Sequence, residues 1–151
     1  MNLVKTLACC AIAAVPLAAV AQNAGYNNPC AGIQWSRKFL ATYPKAPAAC
    51  QTVETKDGAK YAQFKGKVVS VGADSVVVNL VNVAGTPGAA IAWHTSADAD
   101  ETILINDKEA KAGDLKKGDT VTFYVEEKKF TIFMQPGGKP LPITKLGGPH
   151  E

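Results

Sequence analysis

Histidine is the commonest general base in enzymes, and this sequence holds two, His94 and His150. His150 stands one residue from the C-terminus, which leaves His94, beside Trp93, as the one candidate. A nucleophilic mechanism needs a base, a nucleophile and an orienting partner held together. No Gly-x-Ser-x-Gly or other nucleophile signature accompanies His94. The expectation is a protein that is not an enzyme and carries no cofactor.

Cysteine chemistry depends on where the chain is delivered. Lys5 supplies a short positive start, Leu7 to Ala19 is an uncharged apolar run, and Ala19-Val20-Ala21 places small residues where a signal peptidase reads them. Residues 1–21 are therefore expected to be a signal peptide, with cleavage near Ala21 and export to the periplasm or the medium. The run is shorter than the roughly 20 apolar residues that span a bilayer. A lipoprotein signal would put its acylated cysteine after the apolar core, whereas Cys9 and Cys10 precede most of it.

Removing 21 residues leaves 130, takes the net charge from +3 to +2, and leaves one methionine, Met134, and two cysteines, Cys30 and Cys50. An even pair in an oxidising compartment predicts a disulfide between them. Neither cysteine has the C-x-x-C spacing or neighbouring histidine that redox or metal chemistry uses. The near-neutral charge, with acids and lysines interspersed, gives nucleic acid no support as a partner. Asp98, Asp100 and Glu101 form an acidic turn that lacks the longer ligand series and central glycine of an EF-hand. A solvated turn that protects a strand edge is expected there.

The elements that would position these residues follow from periodicity. Residues 22–58 read as a loose leader and a disulfide-clamped helix. Asn28 is placed as N-cap and Pro29 as the first helical residue, while Ile33, Trp35, Ser36, Phe39, Leu40 and Tyr43 share one broad arc. Pro44 and Pro47 stop this helix of about three turns. Its expected role is to cover a sheet; the sharper alternative is contact with a membrane surface through Trp35 and Phe39 beside Arg37 and Lys38.

From Tyr61 the period changes to two. Residues 59–134 predict a mainly β domain, a small closed or partly open antiparallel β-barrel of five to six strands, with a bulge at Gly66. Residues 135–151, with four prolines and four glycines, read as an extended tail in which Leu141 and Ile143 add at most an edge strand.

Three stretches carry a resemblance. They are Phe64-Lys65-Gly66-Lys67-Val68-Val69-Ser70-Val71, Thr102-Ile103-Leu104-Ile105-Asn106-Asp107-Lys108-Glu109-Ala110, and Asp114-Leu115-Lys116-Lys117-Gly118-Asp119-Thr120-Val121. Together they resemble small exported bacterial β-barrel domains of the oligonucleotide/oligosaccharide-binding-like kind. The resemblance implies that Leu115 plugs a barrel end, that Gly118 takes a positive φ and that Asp119 bonds local backbone amides. Exported copper carriers with a related barrel use His, Met and a nearby Trp. This implies a copper-handling alternative built on His94 and Met134, although the clustered methionine pair of those carriers is missing here.

The reading placed first is a non-catalytic binding or interaction module whose partner is a glycan, a peptide or a protein surface. If Val121, Phe123 and Val125 point into the barrel, Tyr124 points out; if Ile132 points in, Phe133 points out. Tyr124, Phe133 and Trp93 then form a candidate aromatic face for stacking. Burial of these rings under the helix fits the same pattern.

Overall fold

The computed structural model describes residues 28–94 and 101–144. The expected signal peptide, the leader to residue 27, Asp98, Asp100 and the tail from residue 145 lie outside the described residues. Alternating apolar and polar side chains give nine strands among the described residues: β1 (Thr52–Lys56), β2 (Ala59–Val71), β3 (Ser75–Val81), β4 (Pro87–His94), β5 (Thr102–Ile105), β6 (Lys108–Lys111), β7 (Thr120–Glu126), β8 (Thr131–Phe133) and β9 (Pro140–Thr144). They lie in the order β1-β2-β3-β4-β9-β8-β7-β5-β6, and β2 also pairs with β7. Six strands, β2, β3, β4, β9, β8 and β7, thus follow one another round a ring, with all pairings antiparallel. The protein is a small β-barrel with β1 and the β5–β6 hairpin added to it.

Length lets β2 close the ring. Its first half pairs with β1 from Lys56↔Ala59 to Thr52↔Gln63, its second half pairs with β3 from Lys65↔Val81 to Val71↔Val76, and its other edge pairs with β7 from Tyr61↔Glu126 to Lys67↔Thr120. Every second residue points inward. Ala62, Phe64 and Val68 of β2, Val76, Val78 and Leu80 of β3, and Val121, Phe123 and Val125 of β7 are all buried in one core. Ile91 and Trp93 of β4, Ile132 of β8, and Leu141 and Ile143 of β9 complete it.

An aromatic series runs through this core. Trp35 lies 5.9 Å from Phe64, Phe64 stacks on Phe123 at 5.6 Å, and Phe123 lies 5.1 Å from Trp93. Trp35 is in the segment before α1 (Arg37–Thr42), and a 3-10 turn at Ala46–Ala49 follows that helix. Ser36 caps α1 by accepting from the Phe39 amide. Backbone hydrogen bonding fastens the segment to the barrel: Lys128 N donates to the Gln34 carbonyl at 2.8 Å, and Gln34 N to Glu127 Oε1 at 2.9 Å. No helix among the described residues is long and apolar enough to cross a membrane.

Several boundaries differ from expectation. The helix spans six residues instead of about three turns. Asn28 caps a turn, its Oδ1 accepting from Cys30 N at 3.0 Å, and the chain from Cys30 to Trp35 reaches the core without helical pairing. Leu40, placed on the apolar arc, is exposed, because so short a helix turns little of its surface inward. Thr52–Lys56, assigned to the leader region, is strand β1, joined to β2 through Asp57 and Gly58, both at positive φ.

The bulge falls between Val68 and Ser70, and the register through Gly66 is regular. Finally, Pro140–Thr144 is no edge. It lies between β4 and β8 and contributes two core residues, its prolines standing at positions 140 and 142 opposite Phe133 and Thr131.

Candidate functional site

Strand alternation separates the residues of the copper alternative. Trp93 and His94 are neighbours on β4, so they project to opposite faces. Trp93 is 1% exposed in the core, whereas His94 is exposed, with Nδ1 3.1 Å from the carbonyl oxygen of Asp74 in the β2–β3 turn. Met134 follows β8 and is buried in the core. Met134 and Trp93 therefore come together, and His94 does not join them. Among the described residues no group of three or more His, Cys, Asp or Glu side chains converges on a metal-sized site.

The expected aromatic face is covered. Tyr124 and Phe133 do point away from the barrel interior, but they pack with Tyr61 into a second, smaller cluster and are only 5% and 6% exposed. Tyr61 meets Phe133 edge to face at 5.5 Å. Glu54 on β1 explains much of the covering. Tyr124 Oη donates to Glu54 Oε1 at 3.0 Å and accepts from Gln63 Nε2 at 3.0 Å, and Gln63 Nε2 also reaches Glu54 Oε1 at 3.1 Å. Burial pushes the Tyr124 phenol above its ordinary pKa; the Gln63 bond opposes that rise, and the adjoining Glu54 carboxylate adds to it. With Trp93 in the core, the three rings form no common stacking face on the outside of the barrel.

Phe39 is likewise fully buried, stacked on the half-buried Trp35 at 5.3 Å, so the helix packs this ring against the barrel. Cys30 and Cys50 form the expected disulfide, with Cα atoms 6.2 Å apart. That bond is compatible with an oxidising compartment.

Two of the concavities among the described residues combine apolar walls with charged side chains. The first is a cleft of about 190 Å³ at one end of the barrel, where β2 turns into β3 and a 3-10 turn at Ala112–Asp114 leads to Leu115. Val71, Val76, Trp93, Leu115 and Met134 line it, with Glu101 as the one ionisable side chain among the described residues. Leu115 is buried at this end, where the resemblance places a plug. Gly118 has φ +95°, and Asp119 Oδ2 accepts from Lys116 N at 2.9 Å, so the loop that presents Leu115 is fixed by local bonds.

The second concavity is a shallower groove of about 760 Å³ on the outside of β2 and β3, bordered by Lys67, Val69, Asn79, Val81, Pro87 and Lys117. Lys67 and Asn79 stand opposite each other in register and are both exposed. Lys65 is paired with Asp107 at 2.7 Å, while no acidic partner meets Lys67 or Lys117 among the described residues. Sequence reasoning found Trp93, Met134 and Leu115 but missed Glu101 as a cleft residue and Lys67 as a groove residue. Strand parity signals Lys67 once the register is known, whereas Glu101 precedes β5 and has no such signal.

No protein-family model, no curated protein and no solved structure matches this chain.

Proposed function

We propose that this chain is an exported, non-catalytic binding module on an oligonucleotide/oligosaccharide-binding-like barrel, and that it binds an acidic glycan, peptide or protein surface. The outer groove carries this reading. It joins two lysines without carboxylate partners, one exposed amide and the apolar edges of Val69, Val81 and Pro87. Polar groups amid apolar contacts are the usual make-up of a binding surface.

The other polar clusters are occupied internally: Tyr124 with Glu54 and Gln63, Asn106 with Asp119, and Lys65 with Asp107. Export is supported by the N-terminal signal pattern and the Cys30–Cys50 bond, and the barrel class by the long β2 that closes the ring. The copper alternative draws less support, because His94 and Met134 lie on opposite sides of the wall.

Binding of the mature chain to an array of acidic glycans and peptides tests the reading, with Lys67→Glu/Lys117→Glu as the variant. Hits that weaken at least tenfold in the variant, with the fold intact by circular dichroism, are expected. Hits that keep full strength without the two lysines would remove the groove from the function.

A further inference from the structure

The barrel-end cleft is distinct from the groove and has a chemistry of its own. Its wall is apolar, formed by Val71, Val76, Leu115 and Met134 with the Trp93 indole, and one carboxylate, Glu101, stands half-buried among them. Size comes first. A dry apolar cavity of about 150 Å³ admits benzene, and about 190 Å³ is available here, which suits a six-membered ring with a short arm.

Charge comes second. Among the described residues Glu101 is the one ionisable group in the lining and its side chain has no partner, while its backbone carbonyl is already used by Ala112 N at 2.8 Å. The indole ring favours a neighbouring cation, and the thioether makes favourable contacts with an aromatic ring. A carboxylate ligand would meet like charge at Glu101, and a neutral one would leave that group without its complement.

We infer that this cleft is a binding site for a small organic ammonium, its apolar body against Trp93 and Met134 and its cationic head at Glu101. The site is independent of the groove and of the partner proposed there.

Benzylamine, benzyl alcohol and benzoate are the probes, because they share a ring and differ in the charge of the arm. The readout is the Met134 methyl resonance of the mature chain, in which it is the only methionine once residues 1–21 are removed. Trp93 fluorescence in a Trp35→Phe variant provides a second readout, since the chain has two tryptophans.

Benzylamine is expected to give a saturable shift with a Kd on the order of 1 mM, as suits so few atoms. Benzyl alcohol should bind about fivefold more weakly, the gain of one partly exposed ion pair, and benzoate more weakly still. Glu101→Gln should abolish the preference for the amine while leaving the alcohol's affinity unchanged, and Leu115→Trp should fill the cleft and remove all three responses. Absence of a saturable Met134 shift, equal affinity for amine and alcohol, or an amine preference that survives Glu101→Gln would each overturn the inference.

Discussion

Gly66→Ala should destabilise the barrel, although alanine normally suits a strand better than glycine. A Cβ at position 66 would lie 2.9 Å from Cγ2 and 3.0 Å from Cβ of Val78, against about 3.5–4.0 Å for an ordinary carbon contact. Neither side can give way cheaply. Gly66 is paired on both edges, with Leu80 of β3 and Val121 of β7, and Val78 is fully buried and β-branched, so its rotamer is fixed.

Overpacking of this kind costs about 1–3 kcal/mol, offset by about 0.5–1 kcal/mol from relieving glycine's backbone entropy, for a net loss of about 1–2 kcal/mol. An unfolding entropy of about 2.1 cal/mol/K per residue over roughly 120 residues converts this to about 4–8 °C in Tm. Urea titration followed by tryptophan fluorescence, with thermal melts by circular dichroism, measures it. Gly32→Ala, with nothing within 4 Å of the added atom, is the neutral control. In a Val78→Ala background the Cγ2 contact is gone, and Gly66→Ala should cost less there than in the wild type. Equal stability of Gly66→Ala and Gly32→Ala, or strict additivity with Val78→Ala, would refute the close approach.

Replacing Cys30 and Cys50 by serine, or reducing the bond, opens a loop of sequence separation 20 and should cost about 3 kcal/mol on the chain-entropy account. That corresponds to roughly 12 °C, and an unchanged melting midpoint would refute it. Tyr124→Phe removes one buried hydroxyl bonded to Glu54 and should cost about 1 kcal/mol near neutral pH. The raised phenol pKa also sets a sign. The unfolded chain loses this proton first, so stability is fully present below about pH 10 and declines as pH rises beyond it. Urea midpoints from pH 8 to 11 should fall more steeply in the wild type than in Tyr124→Phe, and parallel curves would refute the assignment. Ending the chain at Lys139 removes β9 with Leu141 and Ile143; loss of cooperative unfolding and binding of a hydrophobic dye are expected, against retained two-state melting if the segment is dispensable.

Parity carried most of what the sequence made legible. Val121, Phe123 and Val125 alternate with Thr122 and Tyr124, and the structure puts the first set in the barrel and the second on its outer surface. Parity does not report exposure, however. Tyr124 and Phe133 point outward and are still buried, because Tyr61 and Glu54 arrive from strands whose register no local pattern reveals. Gly66 shows the same limit: glycine in a strand signals either a bulge or a close approach, and only the partner strand decides that Val78 sits against it. Asp57-Gly58 has the composition of a hairpin turn but is not legible as one in the sequence, because Thr52-Val53-Glu54-Thr55-Lys56 has too few apolar residues to announce the strand before it. Pro140 and Pro142 argued against pairing in β9, yet a proline keeps its carbonyl, and Leu141 and Ile143 still fill the core.

Among the described residues the ring is thin where β9 enters it. Its pairing with β4 consists of Ala92↔Thr144 and Trp93↔Ile143, whereas β2 and β7 pair continuously from Tyr61↔Glu126 to Lys67↔Thr120. A seam this short, made at the end of the described chain, gains little from its own ladder. Beside it, the Ala92 amide donates to Tyr43 Oη at 3.2 Å, and Tyr43 is buried within the segment that the disulfide closes. The 3-10 turn at Ala46–Ala49, with Ala46 and Ala49 buried, continues from Tyr43 toward Cys50. The clamped segment therefore reinforces the barrel at this short join. A hydroxyl from Tyr43 satisfies a β4 backbone donor there, and the Cys30–Cys50 bond holds that hydroxyl's segment in place. On this account the aromatic stripe that reads as a helix seeking a sheet has a more specific task. Phe39 anchors it to Phe64 in the core, and Tyr43 helps to close the ring.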